Sequence, residues 1–175
     1  MHLELRKGMI LDPGTYNAVI APEEVVLKAI HNNPDLQRFL FLYISGNYSR
    51  LLSSIGRTSN NFEVCRAFTA HQLFTILQNV SHSVVFLEHD PTLYEGAEQM
   101  LPTIGELLKD VSRESLVVLY APAMDRSFYK LIRKADHIIE IAVEDQPPPH
   151  PVFRSAEARW KSGQVLPRQT TLEVS

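Results

Sequence analysis

The chain has 175 residues and is 45% hydrophobic, which is enough for one domain with a substantial core. A net charge of -3 and a pI near 6.2 give no overall reason to expect a nucleic-acid-binding or membrane-binding protein, although a local basic patch is compatible with both values. The single cysteine, Cys65, excludes an internal disulfide and predicts a reducing, intracellular setting. Because the sequence has neither a leader pattern nor a run of ~18 apolar residues, we expect a cytoplasmic protein without membrane contact.

Short apolar runs and amphipathic segments alternate along the chain. Pro22 and the two acidic residues after it are typical of a helix start, and Pro102 is predicted to kink a later helix because it lacks an N–H donor. Thr69 is predicted to cap the helix that follows it. Strands are predicted at 16–21, 39–44, 62–68, 84–88, 116–121 and 137–143, and helices at 22–33, 49–55, 69–80, 91–108 and 125–135.

This alternation predicts an α/β fold, a three-layer sandwich with a mostly parallel central sheet between helices. We expect one domain over residues 1–145, then a stiff proline-rich connector at 146–151. Residues 152–175 form a C-terminal extension that is either a set of edge strands or a partner-binding tail. The candidate edge strands are 152–153, 159–160 and 171–174.

The predicted strand at 84–88 ends in the cluster Glu88, His89 and Asp90. A buried parallel strand delivers its last side chains to the carboxyl edge of the sheet, where α/β proteins place their sites. Glu88 and Asp90 are therefore candidate ligands for a divalent metal, with His89 beside them. The alternative is that Asp90 caps the next helix and Glu88 is only a hydrogen-bonding group.

Four segments resemble the ATPase core of the RecA/RadA recombinase superfamily, in its archaeal and eukaryotic branch. RAFTAHQL at 66–73 is similar to the stretch of that family that leaves a strand and enters the helix before the Walker B strand. YISGNYS at 43–49 is similar to the family's YIDTEGTF segment. VVFLEHDPTLY at 84–94 resembles the Walker B strand and its continuation, and ADHIIEI at 135–141 resembles a late core strand. The resemblance covers roughly residues 16–143 and implies a RecA-like fold.

The elements that the family needs for catalysis are missing or altered. An active member has a Gly-rich loop with Lys-Ser/Thr after its first strand, whose amides and ammonium wrap the phosphates. Here that place is APEEV at 21–25, with no glycine, no lysine and two acids that repel a triphosphate. The water-activating glutamate falls at Gly46 and Asn47, where no carboxylate exists, and the Walker B aspartate falls on Glu88. The resemblance therefore implies a pseudo-ATPase that needs no cofactor, with Mg2+ and ATP as the alternative.

Two sets of residues are candidates for contact with nucleic acid. One is the helical face Arg126, Lys130, Arg133 and Lys134, which can track a phosphate backbone or be only a solvated face. The other is Arg159, Trp160 and Lys161, which can stack a base or anchor a partner, or can be an edge strand that packs one aromatic onto the core.

Three functions follow. The first is a non-catalytic RecA-like accessory or assembly partner, by analogy in DNA recombination or repair, with a protein partner or a second copy and with DNA as a possible ligand. The second is a nucleotide- or metal-dependent hydrolase that uses Glu88 and Asp90. The third is a structural subunit without nucleic-acid contact.

Overall fold

The computed structural model describes residues 3–6, 8–33, 36, 38–55, 60–142 and 169–172. The strands are β1 (Leu3–Arg6), β2 (Met9–Leu11), β3 (Tyr16–Ile20), β4 (Phe41–Ser45), β5 (Phe62–Arg66), β6 (Val84–Glu88), β7 (Leu116–Ala121), β8 (His137–Ile141) and β9 (Gln169–Leu172). The α-helices are α1 (Glu23–His31), α2 (Ala70–Gln78), α3 (Leu101–Val111) and α4 (Arg126–Leu131).

The central sheet has seven strands in the order β5-β4-β6-β7-β3-β8-β9, and every pair in it is parallel. Strands β1 and β2 form a separate antiparallel hairpin. The predicted α/β class and parallel sheet are confirmed, and all six predicted core strands are present.

The direction of each connection decides which face of the sheet it covers, because parallel crossovers are right-handed. The chain moves one way along the sheet from β3 to β4 and on to β5, and the other way from β5 through β6 and β7 to β8. Helix α1 and the β4–β5 connection therefore pack on one face, together with the β1–β2 hairpin. Helices α2, α3 and α4 pack on the opposite face. The result is the predicted three-layer sandwich.

A row of aromatic rings runs across four neighbouring strands on the α1 face. Phe62 stacks on Phe41 at 5.1 Å between centroids, and Tyr43 stacks on Phe86 at 5.5 Å. The row continues to Tyr120 on β7, whose ring lies 6.0 Å from that of Phe86. These rings belong to the apolar core between the sheet and the α1 layer, and Tyr43 and Tyr120 bring that core up to the polar groups at the carboxyl edge.

Two helix predictions are wrong. Residues 49–55 form turns rather than a helix, and Ser49 and Arg50 at their start donate to the Glu88 carboxylate. Residues 91–108 are not one kinked helix. Two short 3-10 turns, Pro91–Tyr94 and Glu98–Met100, precede α3, and Pro102 lies in its first turn, where a missing donor costs nothing.

The C-terminal extension contributes one described strand. Strand β9 pairs in parallel with β8 at the edge of the sheet, and it overlaps the predicted edge strand at 171–174. The connector at 146–151 and the other two candidate edge strands lie outside the described residues. In the described part of the chain, no helix has the length and apolar character that crossing a membrane requires.

Candidate functional site at the carboxyl end of β6

The carboxyl ends of β4 and β6 form a topological switch point. The connection that leaves β4 runs towards β5, and the connection that leaves β6 runs the opposite way towards β7. Such a divergence opens a crevice beyond the strand ends, which is where open α/β sheets bind their ligands. Glu88, His89 and Asp90 stand on one side of this crevice. Residues 46–50, which we call the 46–50 loop, stand on the other.

Glu88 is buried, at 3% exposure, and its carboxylate is fully engaged by the chain itself. One oxygen accepts hydrogen bonds from the Tyr43 hydroxyl and from the Ser49 hydroxyl, the latter at 2.5 Å. The other oxygen accepts the Arg50 backbone N–H at 2.7 Å. Burial and the neighbouring Glu88 raise the pKa of Tyr43, so its hydroxyl stays a donor. These bonds compensate the cost of burying a carboxylate.

Asp90, two residues after Glu88, also binds the 46–50 loop. It is 4% exposed; one of its oxygens accepts the Tyr48 N–H at 3.1 Å, and the other accepts the N–H and hydroxyl of Thr92. Gly46 lies so close that a Cβ added there would overlap the Asp90 side chain. The predicted capping role of Asp90 is confirmed, although it caps a 3-10 turn rather than an α-helix.

His89 points to the opposite layer and connects β6 to α4. Its Nε2 lies 2.7 Å from Oδ2 of Asp125, and its ring packs against Tyr94 and Phe128. Asp125 caps α4 by accepting the Phe128 N–H at 2.8 Å. Burial acts to raise the pKa of the Asp125 carboxyl, but the His89 hydrogen bond, the His89 charge and two backbone amides outweigh it, so this pKa lies below its ordinary value.

Glu88 and Asp90 therefore stand where the metal ligands were predicted, but their oxygens bond to the 46–50 loop and to Thr92. No group of three or more His, Cys, Asp or Glu side chains within the described ranges is arranged to hold a metal ion. His71, His82 and His137 lie on separate elements. His82 pairs with Glu63 at 3.1 Å, and His137 bonds to Asn17 at 2.9 Å.

Two buried hydroxyls near Glu88 have no hydrogen-bond partner: Ser45 Oγ at the end of β4 and the Tyr120 hydroxyl at the end of β7. Tyr120 faces Glu88 in the β6–β7 register, and by strand alternation Ser45 lies on the same face of the sheet. Burial, followed by the charges of Glu23 and Glu88, raises the pKa of Tyr120.

The turn into α1 contains the segment 21–25, which the sequence resemblance aligns with a phosphate-binding loop. Pro22 is the N-cap residue and makes no side-chain capping bond, and Glu23 and Glu24 occupy the first turn. The Arg50 guanidinium lies 3.4 Å from Glu23, so the 46–50 loop also contacts this turn. The two carboxylates interact favourably with the positive end of the helix dipole, but they would repel a bound phosphate.

The predicted basic face is present on α4 and on the 3-10 turn after it. Lys134 is paired with Glu106 at 2.7 Å, whereas Arg126, Lys130 and Arg133 have no ion pair with any described residue. We call these three the basic stripe. Tyr129, at 57% exposure, lies among them at helical spacing. Sequence reasoning missed Tyr129, which the i, i+3 spacing from Arg126 could have identified. Arg159, Trp160 and Lys161 lie outside the described residues.

Comparison with known proteins gives one informative match. A protein of Archaeoglobus fulgidus, described only as uncharacterized, is 38% identical over 133 residues, which cover 75% of this chain and 67% of the archaeal protein. The chain belongs to the family of this archaeal protein. No family model matches the chain. Because the archaeal protein is described only as uncharacterized, the function has to be inferred from the site.

Replacing Glu88 with glutamine should destabilise the protein by about 2 kcal/mol, because an amide NH2 would face donors that now bond to a buried carboxylate. Chemical denaturation of Glu88→Gln against wild type measures this change. The exposed Glu95→Gln should have no measurable effect and is the matched control. Equal stability of Glu88→Gln and wild type would show that the carboxylate does not hold the 46–50 loop.

Asp125 should make stability depend on acidic pH. Its folded pKa lies below its unfolded value, so its stabilisation is present above the unfolded pKa and is lost as the pH falls through the folded pKa. Because Asn is also a good N-cap, Asp125→Asn keeps the cap and removes only the carboxylate charge. The variant should therefore be less stable than wild type at neutral pH, and the difference should shrink below pH ~4. Thermal unfolding of both proteins across this range provides the test. A difference that does not change with pH would contradict it.

Proposed function

We propose that this protein is a non-catalytic RecA-like protein, a pseudo-ATPase that acts by binding, as an accessory or assembly partner in DNA recombination or repair. The observation that carries the proposal is that the crevice between β4 and β6 is closed by the protein itself. Glu88 and Asp90 hold the 46–50 loop across it, and Gly46 leaves no room beside Asp90.

The fold is consistent with the resemblance on which the proposal draws. The segment 66–73 leaves β5 and enters α2, where Thr69 caps the helix and Gln72 bonds back to Phe68 N–H. The segments 43–49 and 84–94 leave the adjacent strands β4 and β6, and 135–141 ends in β8. Each segment therefore occupies the kind of element that the resemblance implies, in a wholly parallel sheet.

Three positions support the proposal that this protein neither binds nor hydrolyses a nucleotide. The first turn of α1 presents Glu23 and Glu24 where phosphate-binding amides and a lysine would be needed. Gly46 stands in the region of the catalytic glutamate and has no side chain to activate water. Glu88, in the Walker B position, already accepts three hydrogen bonds from the chain, so magnesium would have to displace them.

Isothermal titration calorimetry with Mg-ATP tests the loss of nucleotide binding. Wild-type protein is expected to give no saturable heat, because phosphate at this turn would face the Glu23 and Glu24 carboxylates without a lysine to bind it. Glu88→Ala is the matched variant. Tight binding by wild type that is lost in Glu88→Ala would overturn the pseudo-ATPase proposal.

That outcome would instead support the second candidate, a nucleotide- or metal-dependent hydrolase that uses Glu88 and Asp90. The unpartnered hydroxyls of Ser45 and Tyr120 favour it, because buried polar groups without partners often belong to sites. The same titration therefore separates the two candidates.

DNA contact is proposed for the basic stripe. Arg126, Lys130 and Arg133 follow one helical face, and none is neutralised by a described acid. Tyr129 stands among them with its ring exposed, an arrangement that suits a strand whose phosphates contact the cations and whose bases stack on the ring.

Replacing the stripe with alanines (Arg126→Ala, Lys130→Ala and Arg133→Ala together) should weaken DNA binding and lower the salt slope by about one unit per cation removed. Fluorescence anisotropy with single- and double-stranded oligonucleotides at several salt concentrations measures both quantities. Lys134→Ala is the matched control, since its ammonium is already paired with Glu106. If wild type shows no salt-dependent binding, the chain is instead a structural subunit without nucleic-acid contact.

A further inference from the structure

Among the described strands, β5 lies at the edge of the sheet with one side unpaired. Its only described partner is β4. The Ala67 N–H, just after β5, donates to Ser45 O, and the Phe41 N–H donates to Asn61 O, just before β5. In a strand, the N–H and C=O of one residue point to the same side, and the side alternates along the chain. The odd-numbered positions of β5 therefore bond towards β4. The N–H and C=O groups of Phe62, Val64 and Arg66 point outwards.

This edge carries few of the features by which proteins protect free strands. It contains no proline, and its pairing with β4 runs without a bulge. A groove of about 580 Å³ runs beside it, lined by Leu52, Phe62, Glu63, Val64 and Arg66. Phe62 and Val64 are only half-buried there, so the groove offers apolar surface next to a row of unpaired backbone groups.

We propose that β5 pairs with β5 of a second copy of this chain, antiparallel and centred on Val64, so that two seven-stranded sheets join into one. In this register Val64 faces Val64 of the other copy, and Phe62 faces Arg66. All three outward-pointing residues then exchange both of their backbone hydrogen bonds. The guanidinium lies beside an aromatic ring, and no like charges stand directly opposite each other. The pairing does not depend on the proposed function.

The neighbouring register is less favourable. Centring the pair on Cys65 would match Val64 with Arg66 and Phe62 with Phe68. The Phe68 N–H already donates to Gln72 Oε1 at 2.8 Å, so that pair cannot exchange its bonds. The strand is thus more self-complementary when the pair is centred on Val64 than on Cys65, and this self-complementarity is why we choose a second copy as the partner.

Sedimentation equilibrium on the full chain should find a dimer. Arg66→Pro should weaken dimerisation about tenfold or more, because it removes an outward donor from each copy and leaves the bonds to β4 intact. Arg66→Ala is the matched control, since it keeps the backbone N–H. Its dimerisation affinity should fall much less than that of Arg66→Pro. A wild-type protein that is monomeric at all concentrations tested, or an equal loss in both variants, would overturn the proposal.

Disulfide trapping tests the register. In the proposed pairing Glu63 stands opposite Cys65 of the other copy in a non-hydrogen-bonded pair, with Cα atoms ~4.5 Å apart, within disulfide range. Glu63→Cys should therefore form disulfide-linked dimers under mild oxidation, and wild type should not. The substitution removes two contacts of the exposed Glu63 side chain, one with His82 Nε2 at 3.1 Å and one with Cys65 Sγ at 3.7 Å, so the fold should be kept. Linkage of wild type through Cys65 alone, or no linkage in Glu63→Cys, would contradict this register.

Discussion

The hydrogen bonds between buried Glu88 and the 46–50 loop are the interaction on which the functional edge of this protein depends. A carboxylate at 3% exposure is tolerated only because Tyr43, Ser49 and Arg50 supply donors on both of its oxygens. The same bonds fix the direction in which the chain leaves β4. They also place Arg50 within reach of the first turn of α1.

Three consecutive residues at the end of β6 hold two neighbouring segments. Glu88 and Asp90 hold the 46–50 loop on one face, and His89 contacts the cap of α4 on the other. In a parallel sheet this position is the usual place for chemistry, because the connections diverge there and leave a crevice. Here the crevice is filled by the protein's own polar contacts. The proposal that the protein binds rather than catalyses draws on the acidic helix start, the closed crevice and a basic stripe without ion pairs to described residues.

Much of the fold could be predicted from sequence, since hydrophobic runs and capping residues act locally. The six core strands were found, as were the caps provided by Thr69 and Asp90. The prediction at Pro102 was wrong because proline is equally compatible with a kink and with the first turn of a helix, and only the preceding 3-10 turns decide between them. At the site, the pattern Glu88-His89-Asp90 located the centre correctly but could not tell a metal ligand from a loop anchor.

The sequence by itself determined the alternation of strands and helices, the position of the acidic cluster at a strand end, and the absence of a phosphate-binding loop after β3. Each of these depends on residue type and spacing within one segment. The tertiary structure alone decided what the carboxylates contact and that β5 lies at the edge of the described sheet. Those properties arise from strand order and from contacts between residues far apart in the chain, such as Arg50 with Glu88, and no local pattern encodes them.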